Sequence, residues 1–182
     1  MSVKTEKVIV LGKSGAGKDF LMRKLVEEKG LEGGLKWTTR PKRKLEQQGV
    51  NYNFVTESEF FQAIKDNKFL TYQKFEVEPE GSDPETWYYG ITLEEFERAQ
   101  VFQMTPGEFE DITPEQRKEC FVVYLDIDRP IRESRLHIRE DKNDSIMRRL
   151  DADDLDFKYF TDWDLKITDP EFDADGVYSL MD

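Results

Sequence analysis

Two uninterrupted apolar runs stand out along an otherwise polar chain. Lys7-Val8-Ile9-Val10-Leu11 stops at Gly12, and Cys120-Phe121-Val122-Val123-Tyr124-Leu125 opens a strand expected over residues 120–127. Apolar residues at every position suit strands buried between two helical layers. From Lys18 to Lys29, Phe20, Leu21, Leu25 and Val26 recur at helical spacing, so the chain opens as strand, loop, helix. Leu35–Thr39 and Asn51–Val55 are expected strands. Thr56 with Glu59 three residues on makes a capping box for a helix to about Asn67, with Phe60, Phe61 and Ile64 as its apolar patch.

Phe69–Val77 and Trp87–Gly90 read as extended, and the polar, breaker-rich Glu78–Glu85 between them as an exposed loop. A helix is expected over Leu93–Arg98 and a strand over Gln100–Met104. A break follows at Pro106-Gly107, before a charged, weakly helical stretch. Helices from Pro130 to about Glu140 and from about Asp144 to Phe157 meet at an Asp141-Lys142-Asn143 joint. Leu165–Ile167 reads as a last strand, Asp173–Met181 as a last helix, and Asp151-Ala152-Asp153-Asp154 as a solvated face.

Composition narrows the function classes. A chain of 182 residues with 13 Phe, 7 Tyr and 3 Trp can bury one sizeable core, which predicts a single domain over 1–182. A net charge of -12 repels long polyanions, so no nucleic acid polymer is expected as a partner. No stretch suits a membrane span and the first residues lack a signal peptide's apolar region, which predicts a cytoplasmic protein with no membrane partner. The lone Cys120 and lone His137 exclude an internal disulfide, a multi-histidine metal site and a histidine triad as leading explanations.

Gly12-Lys13-Ser14-Gly15-Ala16-Gly17-Lys18 lies where the first strand meets the first helix, the context that makes a Gly-x-x-x-x-Gly-Lys loop credible as a phosphate cradle. Its backbone N–H groups and the helix N-terminus favour phosphate oxygens, and Lys18 adds charge between the beta and gamma phosphates. This predicts an ATP site. Asp19 stands where a Ser or Thr is usual; it either meets Mg2+ directly or through water, or caps the helix start.

Thr38-Thr39-Arg40-Pro41-Lys42-Arg43, with Tyr52 nine residues on, offers two guanidinium forks and a phenol suited to a second, acceptor phosphate. Phosphoryl transfer needs two phosphate patches that face each other. Arg135 and Arg139 share a helical face, and with Arg148-Arg149 they could offset charge on a transferring group.

With these residues in view, the chain resembles the guanylate kinases, a branch of the nucleoside monophosphate kinases. The match runs through the phosphate loop, Thr38 to Arg43, Glu46, Gly49, Tyr52, Phe54, Asn67–Leu70, Tyr88-Tyr89-Gly90, and Arg135 to Arg149-Leu150. The resemblance implies an α/β P-loop kinase fold: a central parallel sheet flanked by helices, a small mixed-sheet monophosphate-binding subdomain and a lid. The corresponding regions are 1–35, 93–134 and 150–182 for the core, 36–92 for the subdomain and 135–149 for the lid. It assigns ATP to Gly12, Lys13, Ser14, Gly15, Ala16, Gly17 and Lys18; Asp19, next in the chain, is placed with that site as the candidate Mg2+ ligand. The acceptor phosphate goes to Arg40, Arg43, Tyr52 and Tyr89, and catalysis to Lys18, Arg135, Arg139 and Arg149.

Base-reading positions depart from the family pattern: Lys36 replaces a serine, Thr71 a glutamate, and Ile91 a Ser or Thr that the adjacent Thr92 could supply. The family's Asp-x-Asp has no clean counterpart in Gln103–Pro106. The implied activity is therefore ATP-dependent phosphorylation of a nucleoside or deoxynucleoside monophosphate with a non-guanine or modified base. Ordinary GMP or dGMP, and a catalytically silent phosphopeptide-binding module, are the alternatives. Monomer and homodimer are both compatible with the sequence.

Overall fold

The computed structural model describes residues 7–139 and 144–181. In chain order the first elements are β1 (Lys7–Gly12), α1 (Lys18–Lys29), β2 (Trp37–Thr38), β3 (Asn53–Phe54), α2 (Glu57–Lys65) and β4 (Phe69–Val77). Then come β5 (Glu85–Thr92), α3 (Leu93–Arg98), β6 (Val101–Gln103), α4 (Pro106–Phe109) and α5 (Pro114–Lys118). The last are β7 (Cys120–Leu125), α6 (Arg129–Ile138), α7 (Ile146–Asp156), β8 (Leu165–Ile167) and α8 (Ala174–Ser179).

Four strands form a parallel sheet in the order β6-β1-β7-β8. Ile9 and Leu11 of β1 pack with Phe96, Phe102 and Phe157 on one face; Val8 and Val10 pack with Leu21, Leu25 and Val177 on the other. With helices on both faces β1 has no solvent side, which explains its unbroken apolar run. Fully burying each such side chain stabilises the fold by about 1.5–3 kcal/mol. This is an α/β fold with a parallel sheet flanked by helices.

A second, mixed sheet has the order β3-β2-β5-β4, with β2 parallel to β3 and antiparallel to β5. Thr38 of β2 is registered between Phe54 of β3 and Tyr89 of β5. That register brings the chain just after β2 beside residues that flank β3 and line β5. The α2 capping box forms as the sequence predicts, with Thr56 accepting from the Glu59 N–H and Glu59 accepting from the Thr56 N–H.

Several elements differ from the sequence expectation. The Pro106-Gly107 break is a helix start: Pro106 occupies the first turn of α4, where its missing N–H costs nothing, and Thr105 and Glu108 form a second capping box. Phe61, expected in the α2 patch, is exposed, while Ala63 is buried in its place. The strand β5 begins at Glu85, so the exposed loop ends one residue early. The expected helix end at Glu140 and the Asp141-Lys142-Asn143 joint lie outside the described residues. No described helix is long and apolar enough to cross a membrane.

Candidate active site

The loop after β1 depends on two glycines in left-handed backbone. Gly15 has φ 79°, and a Cβ there would stand 2.7 Å from the Arg132 carbonyl oxygen; Gly17 has φ 104° and is the N-cap of α1. Any other residue at 15 would meet both backbone strain and a collision. Inside the loop, Lys18 Nζ donates to the carbonyl oxygens of Gly12 (2.6 Å) and Lys13 (3.2 Å). Burial pushes the Lys18 pKa below that of an ordinary lysine, against the opposing pull of Asp153 and Asp19.

The basic site assembles at the end of β2. Arg40 is buried, donates to Glu46 Oε1 at 2.7 Å and lies 5.3 Å from the centre of the Tyr52 ring. Glu46 also accepts the Arg43 N–H at 2.8 Å, so one carboxylate fixes both arginine positions. The Tyr52 and Tyr89 rings meet edge to face with centroids 6.0 Å apart. Burial raises the pKa of both phenols, which keeps them protonated donors at neutral pH.

A cleft of about 850 Å³ joins the two groups: Ser14, Gly15, Gly17 and Lys18 on one side, Arg40, Arg43, Tyr52 and Tyr89 on the other. Asp19, Arg139 and Arg149 also line it. Asp19 accepts from Gln103 Nε2 at 2.7 Å and lies 3.9 Å from Arg139. Its carboxylate is largely exposed, and a hard oxygen donor of this kind suits magnesium, which takes few protein ligands and keeps phosphate oxygens and waters. Among the described residues no group of three or more His, Cys, Asp or Glu gathers to cage a metal.

Other expected site residues lie elsewhere. Arg135 does not line the cleft; it donates to the carbonyls of Gly15 (3.1 Å) and Pro170 (3.0 Å), bracing the loop from behind. Arg148 pairs with Asp144. Lys36 reaches a cavity wall, whereas Thr71, Ile91 and Thr92 do not. The Thr71 hydroxyl donates to Asp111 at 2.7 Å, Ile91 is buried in the core, and Thr92 caps α3. No residue from 78 to 84 lines the cleft, and that stretch is the exposed loop the sequence predicts.

The acidic run on α7 is a solvated face only at Asp151, which is exposed; Asp153 and Asp154 turn to partners. Asp154 pairs with Lys13 (2.8 Å), Arg129 (2.6 Å) and Arg132 (3.1 Å), and Asp153 accepts the Ser14 N–H at 2.6 Å. Sequence reasoning also missed Glu108, which is buried and holds Lys36 at 2.6 Å. Its signal was legible as Thr105-Pro106-Gly107-Glu108, a second capping-box pattern.

The Guanylate kinase family matches residues 4–175 of the chain. A guanylate kinase of Sulfurimonas denitrificans is 45% identical over 74 residues, which span 40% of this chain and only 36% of that protein. A guanylate kinase of Rickettsia felis is 28% identical over 183 residues, spanning 95% of this chain and 91% of that one. The crystal structure of guanylate kinase from Anaplasma phagocytophilum superposes with a TM-score of 0.67 at 17% identity, covering 98% of this chain and 85% of that chain, a likeness of fold.

Proposed function

The chain belongs to the guanylate kinase family, and from that premise we propose that it transfers the gamma-phosphoryl group of ATP to a nucleoside or deoxynucleoside monophosphate. One observation carries the reading: Lys18 and its loop share a single cleft with Arg40, Arg43, Tyr52 and Tyr89. Two phosphate-binding groups facing one space are what an in-line transfer requires.

In the proposed reaction the loop amides and Lys18 hold the ATP phosphates, while Arg40, Arg43 and the two phenols orient the acceptor phosphate. An acceptor oxygen forms a bond to the gamma phosphorus as the bond to the beta–gamma bridging oxygen breaks. The bridging electron pair leaves with ADP, and the acceptor becomes a diphosphate. Arg139 and Arg149, which line the same cleft, would offset charge on the equatorial oxygens. Asp19 would hold magnesium together with the phosphates, and that ion supplies charge neutralisation when bound.

Lys36 supports a base site unlike the family pattern, and the departures at Thr71 and Ile91 carry less weight because neither lines the cavity. An ADP-release assay across ribo- and deoxyribonucleoside monophosphates, modified bases included, tests the proposal. Turnover with at least one acceptor is expected; ATP binding without turnover, with capture of a phosphorylated peptide, overturns it in favour of the silent module.

A further inference from the structure

Asp144 stands just before α7, buried, and its carboxylate joins two parts of the fold that are distant in sequence. Oδ1 accepts the backbone N–H of Glu78 at 3.0 Å and Arg148 Nε at 2.7 Å, and Oδ2 accepts from a second nitrogen of the same guanidinium. Glu78 follows β4 directly and opens the polar loop to β5. One buried carboxylate therefore ties the end of the β4–β5 hairpin to the first turn of α7.

The tie spans a space that adjoins the phosphate cleft. A cavity of about 400 Å³ is lined by Phe75, Val77 and Trp87 of the hairpin and by Arg149, Ala152 and Asp156 of α7. Lys18, Tyr52 and Tyr89 line both spaces. The two arginines of α7 take different parts. Arg148 spends two nitrogens on Asp144, a two-pronged grip that fixes the guanidinium, and it does not line the phosphate cleft, whereas Arg149 does. Ser145 accepts the Arg148 N–H, so the backbone of that turn is held as well as the side chain. The charge of Glu78 acts favourably on the same guanidinium. A buried ion pair is a weak source of stability, and its best-attested use is to fix one arrangement.

We propose that Asp144 is a positioning residue: the hairpin end, acting through Asp144 and Arg148, sets where Arg149 stands in the phosphate cleft. The sheet that carries Tyr89 and the helix that carries Arg149 are thereby held together on the hairpin side of the cleft. The inference rests on the kinase reading for what Arg149 does there.

Glu78→Pro in the full chain tests it, because proline deletes the one N–H that reaches Asp144, and Glu78 lines neither cavity. Pro79 already biases residue 78 toward extended backbone, which proline also accepts. ADP release is compared for wild type, Glu78→Pro, Arg149→Ala and the double variant, with the acceptor that the wild type uses best. Glu78→Pro is expected to lower kcat about five- to tenfold with the KM for ATP unchanged, the scale of one charge-assisted hydrogen bond, and to have no further effect where Arg149 is already replaced. Asp144→Asn keeps an acceptor for the Glu78 N–H but not the charge that holds Arg148, and it should show the same loss and the same dependence on Arg149 if Glu78→Pro fails to fold. Wild-type kcat in the folded variants, or an equal loss with and without Arg149, overturns the inference while the kinase reading stands. Amide hydrogen exchange reads the tie without turnover: Glu78→Pro should speed exchange of the Arg148 N–H about tenfold. No turnover by the wild type with any acceptor overturns the kinase reading; the tie then stands on faster exchange and falls on unchanged exchange.

Discussion

Asp153 Oδ2 accepts the backbone N–H of Ser14 at 2.6 Å, so a carboxylate from α7 occupies an amide of the loop proposed to cradle phosphate. Asp154, its neighbour, grips Lys13 from the same helix turn. Arg149 lies one turn earlier on α7 and faces the cleft, which couples the position of that arginine to the loop.

On the proposed reading, an anion of the protein on that loop amide would compete with the phosphates of ATP. Asp153→Ala should therefore lower the KM for ATP by about three- to tenfold, in keeping with one charge-assisted hydrogen bond at a partly exposed site. An ATP titration of initial rates measures it. An unchanged or higher KM contradicts competition and would mean that the contact persists beside the nucleotide.

The Asp154 grip is sensitive to acid. Burial opposes its ionisation, but hydrogen bonds from Lys13 and Arg129 outweigh that and bring its pKa below the ordinary aspartate range. A depressed folded pKa means that the stabilisation is complete above the unfolded value of about 3.9 and is lost as pH falls through the folded value. Melting curves of wild type and Asp154→Asn should differ near neutrality and begin to converge only as pH falls below about 4. A gap independent of pH would contradict ionisation as the source.

Thr71→Glu separates the sequence view of the base site from the structural one. Thr71 is 2% exposed and bonded to Asp111, away from the cavity. A glutamate there would bury a second carboxylate beside Asp111, with an expected loss of about 2–4 kcal/mol of stability and no change in base preference. A stable variant that turns toward guanine would restore Thr71 to the reading site.

Local sequence signals carried the elements whose cause is local. The β1 run, the α1 face, the Thr56 capping box and the limits of β4 and α3 are legible because periodicity and caps act within a few residues. Arg40, Tyr52 and Tyr89 were legible as types, yet their convergence depends on the β2 register with β3 and β5. Asp153 and Asp154 looked solvated because their partners, Ser14 and Lys13, lie 139 and 141 residues away. Arg135 had the right spacing for the cleft but points to loop carbonyls instead, a choice made by where α6 packs.

The central claim is that Lys18 serves phosphoryl transfer in a cleft shared with the acceptor site. Its most direct measurement follows a radiolabelled gamma-phosphate of ATP into a nucleoside monophosphate, comparing wild type with Lys18→Ala at matched thermal stability. The expected result is label in the diphosphate product for the wild type and a loss of about a thousandfold or more in the variant, the scale of removing a group that stabilises transition-state charge. Equal transfer by the two proteins, or no label transferred by the wild type to any acceptor, would contradict the account.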